Sequence, residues 1–405
     1  MNNHSGIVAL FSFWFISLLG NLYEIADIIR ASYYTYAIFS LFMLSFFVGY
    51  LFIEFSTKKK SETSSLLSFE FKWLYRVAFF ILLYVLICLY ISGGLTMTPY
   101  EYFLSQRGSG VIHKTGTGVR ALELIMQLLV QPAIISLISL LCFSIIKSKT
   151  LSKRYFVLVV LNAILYSYFY QANTTVVFLC FSLILTFSVL LFVPNKALRK
   201  RKKVIFLSSI IMVINVFIIA ANRYGSLDFF AILLYYPGTY FTISLSIFDY
   251  YLQNSSSILH SHTFGESIVG YISLFLSLLL RSFGDEFTYT SASVENVTNN
   301  AEFINLGSVS EKYVNAFGSI LFSSFRDFGA FGVALVGLTL GIFLCLSKSK
   351  FSDPFYGAVH MYLLGVLILA FTVSPFDAPY FWQTILLIYL FSRFLFFKKL
   401  KDETV

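Results

Sequence analysis

Uninterrupted apolar runs constrain this chain more than any other feature. Residues 7–22, 33–55, 73–91, 121–146, 155–170, 174–193, 204–221, 328–346, 355–373 and 380–397 carry few or no charges. A helix needs roughly 20 mostly apolar residues to cross a bilayer, and the runs are close to that length. In lipid the backbone must pair internally, so only helices or a closed barrel can span. The runs are continuous rather than alternating, which selects helices. Composition agrees: 58% of residues are hydrophobic, 12% are charged, and mean hydropathy is +0.79. A soluble domain is about 25% charged. The expected fold class is all-α, a polytopic integral membrane protein with about 10–12 transmembrane helices and a large external loop.

The distribution of charge sets an expected orientation. The net charge is +9, and the basic residues cluster in links at 58–60, 147–154, 196–203, 348–350 and 398–401. With a cytoplasmic N-terminus and alternating spans, all these clusters fall inside, as the positive-inside rule requires. The C-terminus is then cytoplasmic too. Basic residues confined to such links give no reason to expect a nucleic-acid partner. No Lys or Arg precedes the first run and no small-residue cleavage site is clear, so this run reads as a span rather than a signal peptide. Cys88, Cys142, Cys180 and Cys345 lie in apolar runs without metal-site spacing and read as small core residues. No metal or other cofactor is expected.

Segment 222–332 departs from the pattern. It mixes apolar runs with Arg223, His260, His262, Arg281, Asp285 and Glu286, and closes on Arg326-Asp327-Phe328-Gly329-Ala330-Phe331-Gly332. Three regions follow: N-terminal transmembrane helices over 1–221, an external segment over 222–327, and C-terminal transmembrane helices over 328–405. Within the external segment, 229–252 and 268–280 are apolar enough for a further pair of spans. The linker 253–262 has no Lys or Arg, so charge does not distinguish a spanning pair from re-entrant or interfacial helices. The spacing of Tyr313, Phe317, Leu321 and Phe325 predicts one helix with an apolar stripe, read as packing.

Cations on the two sides differ in type. Inside they are mostly Lys; outside stand Arg30, Arg107, Arg120, Arg223, Arg281 and Arg326. A guanidinium grips phosphate through two parallel hydrogen bonds, so external arginines suit a lipid-linked phosphate or diphosphate. The plainer reading is pairing with nearby carboxylates or anchoring at headgroups. The external segment is itself acidic, through Asp228, Asp249, Glu266, Asp285, Glu286, Glu295, Glu302, Glu311 and Asp327. That balance favours a polyhydroxyl partner such as a sugar, for which Tyr289, Asn299, Asn300, Tyr313 and Asn315 offer rings and amides. His260 and His262 are either bases working near neutral pH or polar loop residues. Asp285 and Glu286 supply a base or pair with Arg281. No Ser-His-Asp order, P-loop, HExxH or external DxD occurs, which argues against metal-dependent transfer from a nucleotide sugar.

Three stretches carry a family resemblance. Tyr100-Glu101-Tyr102-Phe103-Leu104-Ser105-Gln106-Arg107 resembles a Tyr/Phe…Arg element following an early span. Arg223-Tyr224 goes with Tyr235-Tyr236-Pro237-Gly238 and His262-Thr263-Phe264-Gly265. Asn315-Ala316-Phe317-Gly318-Ser319, with Arg326 to Gly332, resembles an Asp-Phe-Gly-x-x-Gly entry into a late span. Joined to 47 Phe, 27 Tyr and one late external loop, the layout resembles the bacterial oligosaccharide repeat-unit polymerases, the Wzy-type O-antigen and capsule polymerases. The resemblance implies a GT-C-like fold in the bacterial inner membrane. It also implies a metal-independent glycosyltransferase that moves growing glycan from undecaprenyl diphosphate onto a second lipid-linked repeat unit at the external face. On that reading Arg223, Arg281 and Arg326 hold the diphosphate, Arg107 contacts a second site, and Tyr236, Asn315 and Asp327 complete the substrate-binding set. His260 or His262 is the base, with Glu286 or Asp285 behind it. The implied partners are the lipid-linked donor and acceptor, membrane lipids and a chain-length regulator. Two other readings stand beside it. One is an O-antigen ligase-like transferase, which shares topology and arginines. The other is a lipid-linked oligosaccharide flippase or transporter, which would favour internal repeats and charges at mid-membrane.

Overall fold

The computed structural model of the chain describes residues 5–25, 27–56, 69–98, 101–102, 104–105, 120–148, 152–170, 174–191, 242–270, 304–309, 319–371, 374–376 and 380–396, with positions 205–206, 208–210, 214, 216–217, 292, 295–296, 311 and 313–314. The described residues are mostly helical. The helices are α1 (Ser5–Leu22), α2 (Tyr33–Ser56), α3 (Lys72–Ile91), α4 (Arg120–Ile125), α5 (Gln131–Lys147), α6 (Lys153–Tyr170), α7 (Thr174–Leu191), α8 (Ile320–Ser349), α9 (Pro354–Leu369) and α10 (Tyr380–Phe396). A π-helical turn, Met126–Val130, joins α4 to α5. Residues 242–253 and 266–270 are also helical. A short antiparallel pair, Ile304–Asn305 with Tyr313–Val314, sets Ile304 opposite Val314 and Asn305 opposite Tyr313.

Among the described residues, four helices are long and apolar enough to cross a membrane: Tyr33–Ser56, Lys72–Ile91, Met126–Lys147 and Ile320–Ser349. Their environments differ. Met126–Lys147 is 89% buried within the protein, against 28% for Lys72–Ile91. A helix apolar on every side is stable only when surrounded, and α5 is packed by α6, α7, α9 and α10. Its serines return their hydroxyls to the helix itself: Ser136 to Pro132 O, Ser139 to Ile135 O and Ser144 to Leu141 O. Ser139 and Ser144 are thereby satisfied without a partner helix, while Ser136 also reaches Thr384 O of α10 at 3.1 Å. On α2, Phe39, Phe42, Phe46 and Tyr50 are buried, while Leu44, Phe47, Phe52 and Phe55 are exposed. An exposed apolar helix face of this kind is untenable in water and belongs against lipid. The chain is an all-α membrane protein.

The tightest seam joins α2 to α8. A Cβ at Gly341 would lie 2.1 Å from Phe46 O, one at Gly337 2.7 Å from Phe42 O, and one at Gly49 2.2 Å from Leu338 O. Small residues four apart let helix backbones meet where lipid gives no hydrophobic drive. The helices run parallel, because Gly337 meets Phe42, Gly341 meets Phe46, and Lys348 reaches Glu54 at 3.1 Å. Lys348 also donates to Tyr50 Oη, and Lys147 Nζ lies 5.7 Å from the centre of the Phe351 ring. Lys147, Lys348 and Lys350 therefore gather at one end of the bundle, opposite the end that carries the α1–α2 link and the start of α8.

Where the apolar runs are described, element limits follow them closely, with two corrections; most of run 204–221 lies outside the described residues. Tyr313 lies in a strand, whereas Leu321 and Phe325 are buried in α8. The single helix expected to carry Tyr313, Phe317, Leu321 and Phe325 is therefore not formed; Phe317 lies outside the described residues. Helix α8 starts at Ile320 rather than at Phe328.

Candidate functional site

The most irregular point in α8 falls inside the Arg326–Gly332 motif. Phe328 (φ −143°, ψ 26°) and Gly329 (φ 61°, ψ −147°) leave helical geometry. Only glycine adopts the Gly329 conformation without strain. In an unbroken helix the carbonyls of Arg326 and Asp327 would accept from residues four places on. Here they turn to another segment. Arg326 O accepts from Thr263 N at 3.2 Å and from His262 Nδ1 at 3.2 Å, and Asp327 O accepts from Phe264 N at 3.3 Å. Gly332 closes the kink: a Cβ there would lie 2.2 Å from Ser324 O.

Each side chain of the motif has a role in this junction. Asp327 is fully buried, and its carboxylate caps the helical turn 266–270. Oδ1 accepts from Thr263 Oγ1 at 2.6 Å and Ser267 N at 2.9 Å, and Oδ2 accepts from Ile268 N at 3.1 Å. A carboxylate at a helix N-terminus meets amides that have no partner within the helix. Arg326 is 2% exposed. Its Nη1 donates to Ala292 O at 2.9 Å and to Asn296 Oδ1 at 2.6 Å, and its Nη2 meets Glu295 Oε2 at 2.5 Å. Ala292 is held from the other side as well, its amide donating to Glu266 Oε1 at 2.9 Å. The buried Nε–H of Arg326 has no hydrogen-bond partner among the described residues.

His262 is exposed beside this centre. Because a carbonyl can only accept, the Nδ1 atom facing Arg326 O carries the proton when the ring is neutral. The Nε2 lone pair is then free to take a proton, the tautomer a general base needs. Phe264, 78% exposed, and Phe328 flank it with rings 6.1 Å apart, and Phe331 is exposed on the same turn of chain. The arrangement combines a buried guanidinium whose Nε–H is unspent, an exposed imidazole in the basic tautomer, and open aromatic faces. Among the described residues no group of three His, Cys, Asp or Glu side chains is placed to hold a metal ion.

Of the residues singled out from sequence, His262, Arg326 and Asp327 come together. His260 stands apart, its Nε2 facing Leu252 O at 3.2 Å. Arg107, Arg223, Tyr236, Arg281, Asp285, Glu286 and Asn315 lie outside the described residues. In the Tyr100–Arg107 stretch, Tyr102 is an anchor. It is fully buried, donates to Phe169 O at 3.0 Å and stacks on Tyr168 at 5.3 Å. Burial pushes its phenol well above the ordinary value. Glu295 and Asn296 hold the Arg326 guanidinium, and Glu266 holds Ala292 beside it; in sequence the two acids show only as part of the segment's negative charge. Nothing in their spacing announces a contact with residues far along the chain. Comparison with known proteins yields no match: no family model, no curated protein and no solved structure matches this chain.

Proposed function

We propose that this protein is a glycosyltransferase that polymerises lipid-diphosphate-linked oligosaccharide repeat units at the external face of a bacterial inner membrane. The observation that carries the proposal is the broken α8. It unites His262, Arg326 and Asp327 at the bundle end remote from Lys147 and Lys348, the end that the positive-inside rule assigns to the exterior.

In the proposed reaction His262 Nε2 takes the proton from an acceptor sugar hydroxyl. The hydroxyl oxygen bonds to the anomeric carbon of the donor glycan. The bond from that carbon to the lipid diphosphate breaks, and the diphosphate leaves with the electron pair. Arg326, its guanidinium plane fixed by Glu295 and Asn296, is proposed to steady the charge that develops on it through its positive field. Asp327 acts by position, capping the 266–270 turn next to the His262 loop. Two lipid-anchored reactants confined to one surface gain effective concentration. Arg223, Arg281 and Arg107 are proposed as further diphosphate contacts.

The test is electrophoresis of cell-surface glycan. A strain lacking the protein is expected to keep single-repeat glycan and lose the ladder, and His262→Ala is expected to do the same while accumulating normally in the membrane. Loss of all core-attached glycan would indicate a ligase instead. Lipid-linked repeats trapped on the cytoplasmic face would indicate a flippase. An intact ladder in the deletion strain rejects the proposal.

A further inference from the structure

A second polar site lies away from the α8 break. A cavity of about 480 Å³ opens between the α1–α2 link, the start of α2, the helical segment 242–253 and strand residues 305–306. The segment 242–253 has two working faces. Phe248 and Tyr251 pack on α8 through Phe325 and Phe322, with ring centres 5.7 and 5.4 Å apart. Ser246, Asp249, Tyr250 and Gln253, at helical spacing, line the cavity instead.

The polar groups in the cavity are built in. Asp249 is 7% exposed; its Oδ1 accepts from Ser32 Oγ and from Thr35 Oγ1 at 2.7 Å, and its Oδ2 accepts from Gln253 Nε2 at 2.7 Å. An ionised carboxylate has about four acceptor sites, so one remains for a ligand. Gln253 gives its amide hydrogen to Asp249, and its carbonyl oxygen has no partner among the described residues. Tyr36 Oη donates to Asn21 Oδ1 at 2.8 Å. Arg30 lines the same cavity with its guanidinium unpaired among the described residues. Tyr33, 85% exposed, and Tyr250, 43% exposed, offer open rings.

The geometry points to a saccharide subsite for one neutral sugar ring. One cation and one anion leave the cavity without net charge, which disfavours a phosphate. Donors on Arg30 and acceptors on Asp249 and Gln253 match hydroxyls, which both give and accept hydrogen bonds. The tyrosine rings and the flanks of Ile29 and Leu306 suit the apolar face of a pyranose. The volume lies within the range of about 300–1,000 Å³ typical of small-ligand sites. Binding stands on these residues alone. The role of the subsite, seating an acceptor sugar during polymerisation, rests on the function proposed above.

Saturation-transfer NMR on the full chain, purified in a detergent without a sugar headgroup, tests the inference. The probes are glucose, galactose, N-acetylglucosamine and rhamnose, each at millimolar concentration, with glycerol phosphate as the anionic alternative. At least one neutral sugar is expected to receive magnetisation from the protein. That transfer should fall at least fivefold in Arg30→Ala and in Tyr250→Ala, and persist in Arg393→Ala, an exposed arginine elsewhere on the protein. Absence of transfer to every sugar, transfer unchanged in Arg30→Ala, or Arg30-dependent binding of glycerol phosphate alone overturns the subsite. An intact glycan ladder in cells carrying Arg30→Ala, when sugar binding is lost, leaves the subsite standing and removes its role in polymerisation. The deletion strain decides the polymerase proposal separately.

Discussion

Substituting Gly329 by Ala isolates the backbone contribution of the α8 break. A Cβ at this position meets nothing closer than His262 Cε1 at 3.8 Å, so the substitution adds almost no steric contact. What it adds is a methyl group at φ 61°, ψ −147°, a region that costs a non-glycine residue about 1–3 kcal/mol. The alternative is for α8 to straighten. Straightening would restore two helical hydrogen bonds, at about 0.5–1.5 kcal/mol each. It would break the three bonds that His262, Thr263 and Phe264 make to the Arg326 and Asp327 carbonyls. It would also displace the Asp327 carboxylate from Thr263, Ser267 and Ile268, bonds to a charged group worth about 1.5–3 kcal/mol each. Keeping the break is therefore the cheaper course. Gly329→Ala should lower stability by about 1–3 kcal/mol, with amide protection retained over 263–268. Thermal unfolding in detergent and hydrogen exchange on the same sample measure both quantities. An unchanged midpoint, or protection lost over 263–268 at full global stability, refutes the reasoning.

Three further outcomes follow from the same geometry. Asp327→Ala removes the acceptor of two amides and a hydroxyl, each worth roughly 1–3 kcal/mol when left buried and unpaired, so hydrogen exchange at Ser267 and Ile268 should accelerate by more than tenfold. Gly341→Ala drives a methyl group into the Phe46 carbonyl and should cost about 1–3 kcal/mol, read as a fall in unfolding midpoint; Ser349→Ala, at the exposed end of α8, should change nothing. Thr98 donates its amide and hydroxyl to Glu101 at 2.9 and 2.8 Å and holds that carboxyl below its ordinary range. A depressed carboxyl stabilises fully above its unfolded-state value and loses that contribution as the pH falls through the folded one. Protection of the Tyr102 amide should therefore drop in acid, and Glu101→Gln should abolish that pH dependence.

The long apolar helices α2, α3, α5 and α8 were legible in the sequence because burial in lipid imposes a one-dimensional signal: a long enough apolar run must become a helix. The α2–α8 seam was not. Gly337 and Gly341 show the right spacing, but nothing local names Phe46 as the partner. The Arg326–Gly332 motif was visible as a cluster, and its two glycines mark a kink in retrospect. In sequence its Arg326 and Asp327 point to ligand binding, whereas the structure gives Asp327 to the 266–270 turn and most of Arg326 to residues 292–296. A charged residue's first partner is set by tertiary neighbours far along the chain, and no periodicity reports them. The same holds for Tyr102, whose anchoring by Phe169 depends on how α6 ends.

The glycine seam between α2 and α8 acts as a fixed ruler. Helix α2 contributes Tyr33 and Tyr36 to the cavity, and α8 carries Arg326 and the break. Carbonyl oxygens of one helix rest where the other has no side chains, at Gly49, Gly337 and Gly341, so neither helix can slide along its partner without a backbone collision. The separation between the cavity wall and the buried guanidinium is thereby set by main chain rather than by rotamers.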